Sequence, residues 1–70
     1  MTDQANKETG KRIVKYRKTL GLSQEALHDK SGVPANTIAR LERGEHTATT
    51  PTLRKLAKAL DVTLSDLIGG

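Results

Sequence analysis

The sequence predicts a single all-α domain of five helices without strands. Apolar residues recur at helical spacings of three and four positions, and glycine, serine, threonine and proline divide the chain into five such segments. Of the 70 residues, 34% are hydrophobic and only Tyr16 is aromatic, so Leu, Ile, Val and Ala must form the core. This composition favours helices over strands, and a chain of this length has room for one small core.

The first helix is predicted over residues 8–20, with Gly21 ending it. Its apolar residues share one face at helical spacing: Ile13, Tyr16 and Leu20. Residues 1–7 are polar and have no apolar period, so we expect them to form a flexible tail, with an arm that touches a partner as the alternative. The folded domain is therefore predicted at residues 8–68.

The second and third helices are predicted to form a helix-turn-helix. Ser23 is the predicted N-cap of a helix over residues 24–31, and Gly32 stops this helix. The third helix is expected to begin at Pro34 or Ala35, because the fixed φ of proline suits a helix start. Two short helices joined by a tight glycine turn are typical of this motif.

The last two helices have start signals of the same kind. Thr50 supplies a capping hydroxyl and Pro51 a first-turn proline for the fourth helix. Thr63 and Asp66 resemble a capping box for a short fifth helix. Apolar residues line one side of each: Leu53, Leu56, Ala57 and Leu60 in the fourth helix, and Leu64, Leu67 and Ile68 in the fifth.

The third helix, over residues 34–43, has two different faces. Ile38 and Leu41 lie on one side of a helical wheel. The opposite side carries a polar stripe: Asn36, Arg40 and Arg43. Glu42 projects within about 40° of Ile38, toward the buried side. Because a lone buried carboxylate is costly, the sequence predicts a partner for Glu42.

Charge and composition limit the classes of function. Twelve basic and eight acidic residues give a net charge of +4, which is compatible with an anionic partner such as nucleic acid. The chain has no cysteine, which removes disulfides and thiolate metal sites. No apolar run is long enough for a membrane span or a signal peptide. We therefore expect a soluble, cytoplasmic protein without metal, cofactor or membrane partner.

Short motifs along most of the chain resemble one known family. They are Gly10-Lys11-Arg12-Ile13, Arg17, Gly21-Leu22-Ser23-Gln24, Leu27, Gly32-Val33, Thr37-Ile38, Leu41-Glu42-Arg43-Gly44 and Leu56-Ala57-Lys58-Ala59-Leu60. Their order and spacing, over about residues 9–68, look like the Cro/CI-type helix-turn-helix family, also called the Xre family. The resemblance implies a compact five-helix, lambda-repressor-like domain that binds double-stranded DNA, usually as a homodimer.

The resemblance also implies roles for individual residues. It places helix 34–43 in the major groove, with these base-reading residues: Ala35, Asn36, Thr37 and Arg40. Asn36 suits adenine and Arg40 suits guanine or a phosphate, whereas plain solvent exposure is the alternative for Asn36. The expected contacts to the DNA backbone are Gln24, Arg43, Thr47, Thr49 and Thr50. The family's arginine–glutamate pair corresponds to Arg17 and Glu42, so a partly buried ion pair is expected.

Two residues depart from the family pattern. His28 stands where the family usually has alanine, because the two motif helices cross closely there, so either its side chain angles outward or the crossing is wider. We expect it to be an exposed helix residue without function. Pro34 stands where a capping serine or threonine is common, so the third helix is expected to start less firmly.

These features bear on three classes of function. The first is a sequence-specific transcription regulator, a repressor that binds a palindromic operator as a dimer with half-sites about one helical turn apart. The alternative is an antitoxin or other partner-binding module that regulates its own operon. The third class, an enzyme, is not expected, because no plausible catalytic triad, carboxylate pair or phosphate-binding glycine loop can be assembled.

Overall fold

The computed structural model describes residues 2–45 and 48–69. Five α-helices follow one another along the chain: α1 (Thr2–Thr19), α2 (Gln24–Ser31), α3 (Ala35–Glu42), α4 (Thr50–Leu60) and α5 (Leu64–Ile68). The described ranges contain no strand, and the radius of gyration is 10.5 Å. The predicted compact, all-α, five-helix fold is confirmed.

Side-chain caps set most of the helix starts. Ser23 Oγ accepts a hydrogen bond from Ala26 N at the start of α2, and Thr63 and Asp66 form the predicted capping box of α5. In α4 the sequence prediction is wrong by one residue. The hydroxyl of Thr49, rather than that of Thr50, accepts from Thr52 N, because Thr50 is already helical.

The first helix is longer than the sequence predicted. It begins at Thr2 rather than at about Glu8, because residues 2–7 contain good helix formers and no proline or glycine, and an existing helix is extended easily. Lys7, within the predicted tail, packs against Gly44 in the turn after α3. The flexibility of residues 1–7 stays a prediction.

The core lies between α1 and the four shorter helices. Its fully buried side chains are Ile13, Leu27, Ile38, Leu56, Leu60 and Leu67. Two apolar residues expected on inward faces are instead half exposed, Leu20 at 46% and Ile68 at 49%. Leu20 lies in the turn just beyond the end of α1, so it does not lie on the helical face that buries Ile13.

The crossing of α1 and α3 depends on Gly10. A Cβ atom at this position would overlap the carbonyl oxygen of Leu41 and lie 2.9 Å from that of Glu42. The backbones of the two helices therefore approach more closely than any residue with a side chain allows. This approach places the end of α3 directly against the first helix.

Candidate nucleic-acid interface

The outer face of α3 carries the residues that the sequence singled out. Asn36 and Arg40 are exposed, Ala35 and Thr37 are partly exposed, and Ile38 and Leu41 on the opposite face are buried. Pro34 precedes the helix without a side-chain cap, as expected for a residue with no hydrogen-bonding side chain. The N-terminal half of α3 thus presents an amide and, one turn later, a guanidinium to solvent.

A carboxylate near the end of α3 joins three elements of the fold. Arg17 Nε donates to Glu42 Oε2 at 2.6 Å, and Arg17 Nη2 donates to Glu42 Oε1 at 3.0 Å. Gln24 Nε2 donates to the same Oε1 atom at 2.9 Å. The side chains of Arg17 and Glu42 are only 13% and 7% exposed. A bidentate and largely buried ion pair of this kind has a defined geometry, so it orients α3 relative to α1 and α2.

The remaining donor of Arg17 ties down the turn before α2. Arg17 Nη1 donates to the carbonyl oxygen of Leu22 at 2.9 Å, and Leu22 N donates to Arg17 O at 3.0 Å. These contacts set the position of Ser23 and Gln24, where α2 begins. The first turn of α2 directs backbone N–H groups away from the helix, a property suited to a phosphate oxygen. The side-chain amide of Gln24, by contrast, is directed to Glu42.

The turn between α2 and α3 is closed by two side chains of α2. His28 Nδ1 lies 2.8 Å from the carbonyl oxygen of Val33, and Val33 N donates to Ser31 Oγ at 3.1 Å. Because Val33 is buried, its peptide groups need such partners. The expectation that His28 is exposed is therefore wrong: the ring is partly buried and donates from Nδ1–H to a backbone carbonyl, which is a structural contact. No periodicity signals this contact, since its partner is a backbone atom.

Arg43, the cap residue of α3, is already paired within the chain. Arg43 Nε donates to Glu45 Oε2 at 2.9 Å, and Nη2 donates to Glu45 Oε1 at 3.2 Å. The hydrogen bond and charge of Arg43 hold the pKa of the Glu45 carboxyl below its ordinary value, and the charge of Arg40 adds to this effect. The same hydrogen bond raises the pKa of Arg43. Sequence reasoning missed Glu45 as a neighbour of this surface.

The start of α4 holds two of the expected backbone-contacting threonines. Thr49 and Thr50 are exposed, although the Thr49 hydroxyl also lies 3.1 Å from that of Thr52. Thr47 lies outside the described residues, and its contact with the DNA backbone stays a prediction.

Among the described residues, no group of three His, Asp or Glu side chains could hold a metal ion. None of the described helices is long and apolar enough to cross a membrane.

Sequence comparison relates the chain to known proteins. A family model described as helix-turn-helix, HTH_3, matches residues 13–67. The uncharacterized HTH-type transcriptional regulator y4dJ of Sinorhizobium fredii is 36% identical over 62 residues, which make up 89% of this chain and 80% of that protein. An uncharacterized HTH-type transcriptional regulator from Haemophilus influenzae is 42% identical over 55 residues, or 79% of this chain and 56% of that protein.

Solved structures share the fold. The restriction-modification controller protein C.AhdI from Aeromonas hydrophila superposes with a TM-score of 0.85 at 34% identity, covering 89% of this chain and 94% of that protein. An HTH_3 family transcriptional regulator from Vibrio cholerae superposes with a TM-score of 0.92 at 28% identity, covering 99% of this chain and 39% of that protein. These similarities confirm the resemblance seen in the sequence, and the chain belongs to the HTH_3, or Xre-type, family of helix-turn-helix transcriptional regulators.

Proposed function

We propose that this chain is a sequence-specific repressor that inserts residues 34–43 into the major groove of a palindromic operator. The observation that carries the proposal is the division of α3, whose exposed polar face is backed by a buried apolar face and by the Glu42 hydrogen bonds. An α-helix fits the major groove, and a helix held at a defined tilt keeps its register with the base edges. Arg17, Glu42 and Gln24 provide that tilt.

The proposed base contacts follow from side-chain chemistry and exposure. Asn36 presents a donor and an acceptor, the pair that matches the major-groove edge of adenine, and Arg40 presents the fork that matches guanine. Both side chains are exposed and lie one helical turn apart. Ala35 and Thr37, on either side of Asn36, offer methyl groups to a thymine methyl.

The proposed backbone contacts surround this face. At the start of α2, the N–H of Gln24 and the positive end of the helix dipole suit a phosphate. Arg43 lies at the end of α3, and Thr49 and Thr50 at the start of α4. Thr47 belongs to the same segment of the chain. Contacts of this kind set the register of the protein without reading sequence.

Dimerisation on DNA is part of the proposal, because one domain of this size covers only a half-site. Two copies on a palindrome place their α3 helices about one helical turn of DNA apart, which multiplies both affinity and selectivity. The similarity to C.AhdI, a restriction-modification controller protein, supports a role in controlling expression. A protein that binds DNA to control expression is expected in the cytoplasm, and we place this chain there.

The test is selection of binding sites from a randomised duplex library with the purified chain, followed by titration at several salt concentrations. A palindromic motif with two half-sites is the expected result. Salt-sensitive binding without any motif would overturn sequence-specific reading. Activation of a reporter under the selected operator would overturn the repressor assignment. Recovery of one stoichiometric protein partner, with no duplex bound, would favour the antitoxin or partner-binding alternative.

A further inference from the structure

The turn after α3 places an acid beside Arg40 of this helix and beside its cap residue, Arg43. Gly44 N donates to Leu41 O, and Glu45 N donates to Arg40 O, both at 3.0 Å. These are the two hydrogen bonds of a Schellman motif, in which the residues at the positions of Glu45 and Arg40 usually make a hydrophobic contact. Here those positions hold a carboxylate and a guanidinium.

Gly44 fixes this turn in two ways. Its φ angle is +73°, in the left-handed region that favours glycine. A Cβ atom at Gly44 would also lie 2.7 Å from Lys7 Cγ and 3.0 Å from Lys7 Cα. Both the backbone conformation and the packing against α1 therefore direct the chain back, so that Glu45 lies next to the end of α3.

Glu45 occupies the donors that Arg43 would use on DNA. The carboxylate accepts from both Nε and Nη2 of Arg43, the same fork that grips a phosphate. The pair is open to solvent, with side chains 57% and 55% exposed. Exposed pairs are weak, so a phosphate can displace Glu45.

We propose that Glu45 is a positioning residue that competes with DNA phosphate for Arg43 and thereby limits affinity for DNA of every sequence. The inference rests on the proposed function, since it requires α3 to face DNA. The charge of Arg40 also acts on Glu45. In the described contacts, however, the hydrogen bonds to the Glu45 carboxylate come from Arg43, so the Arg40 guanidinium keeps its proposed base-reading role.

The test compares Glu45→Gln with the unsubstituted protein on its selected operator and on random duplex across a range of salt. We expect about fivefold tighter binding to both DNAs, the effect of releasing one exposed ion pair. The slope of log K against log salt becomes steeper by up to about 0.9, because Arg43 then contacts its phosphate without competition from Glu45. The selected base motif stays the same, which separates this role from direct reading of a base by Glu45.

Two controls make the test specific. Glu8→Gln removes the same charge from another exposed pair, Glu8 with Lys11 at 3.9 Å, and leaves the salt slope unchanged. In an Arg43→Ala background, Glu45→Gln changes affinity less than twofold. A Glu45→Gln protein that binds no tighter than Glu8→Gln, or that selects a different motif, overturns this inference alone. If the unsubstituted protein binds no duplex at all, the inference fails together with the proposed function.

Discussion

Arg17 donates two hydrogen bonds, of 2.6 and 3.0 Å, to the carboxylate of Glu42, which lies 25 residues away in the sequence. Gln24 supplies a third hydrogen bond to the same carboxylate. Because Glu42 is nearly buried, its charge is tolerated only with these donors in place. The pair therefore links the stability of the domain to the orientation of α3.

Replacing Arg17 by methionine is expected to destabilise the domain. The change leaves Glu42 buried with Gln24 as its one remaining side-chain donor among the described contacts, and breaking a buried pair on one side costs about 3–5 kcal/mol. The melting temperature should fall by at least about 10 °C, because each kcal/mol is worth roughly 4–8 °C in a domain of this size. Thermal unfolding followed by circular dichroism measures this shift.

The matched control is Lys11→Met, which breaks the exposed pair with Glu8 and should change stability by less than about 0.5 kcal/mol. The double variant Arg17→Met with Glu42→Leu should recover much of the lost stability, since removing both charges leaves none unpaired. If Arg17→Met melts like the unsubstituted protein and binds the operator equally well, the pair has no orienting role.

Replacing Gly10 by alanine should destabilise the crossing of α1 and α3. Helix propensity alone favours alanine by about 1 kcal/mol. The new Cβ, however, would collide with the backbone carbonyls of Leu41 and Glu42, which cannot rotate away. We expect a net loss of about 1–3 kcal/mol, measured by urea denaturation. Lys18→Ala, at an exposed position of α1, is the control, and a Gly10→Ala protein more stable than the unsubstituted one would contradict the close approach.

Replacing Asn36 or Arg40 by alanine should weaken operator binding without loss of stability. Each side chain is exposed, so the melting temperature should stay within a few degrees. The free energy of operator binding should become less favourable by about 1–3 kcal/mol, and the preference at one base position should disappear. Binding-site selection with each variant provides the measurement. Lys58→Ala, which removes an exposed cation from α4, should leave the selected motif unchanged, and equal weakening on all sequences would reassign Asn36 and Arg40 to the DNA backbone.

The threonines at the start of α4 should differ in their effect on stability. Thr49 is the N-cap, so Thr49→Ala should cost about 0.5–1 kcal/mol, in the lower part of the range for caps because the Thr52 N to Oγ1 distance is 3.5 Å. Thr50→Ala should leave stability within about 0.5 kcal/mol, as an exposed position. Chemical denaturation separates the two, and a larger loss at Thr50 would contradict the assigned cap.

Local signals in the sequence predicted most of the fold. The five helices, the turn at Gly32 and the capping box at Thr63 arise from propensities and hydrogen bonds that span a few residues, so a single sequence contains them. The inward faces of α3 and α4 were readable as well, because burial follows helical periodicity. The family resemblance added Arg17 as the partner of Glu42, whose position on the buried side the helical wheel had already predicted.

Several side-chain contacts were decided by the tertiary structure. The hydrogen bond of Gln24 to Glu42, the closure of the turn by His28, and the need for glycine at position 10 depend on how the helices cross. The pairing of Arg43 with Glu45 depends on the path that Gly44 imposes against Lys7. The sequence by itself therefore determined which segments are helical and which faces are buried. Only packing decided which polar side chains are bonded within the protein and which are left for a partner. Those contacts depend on the paths of helices and turns, which propensity and periodicity do not specify.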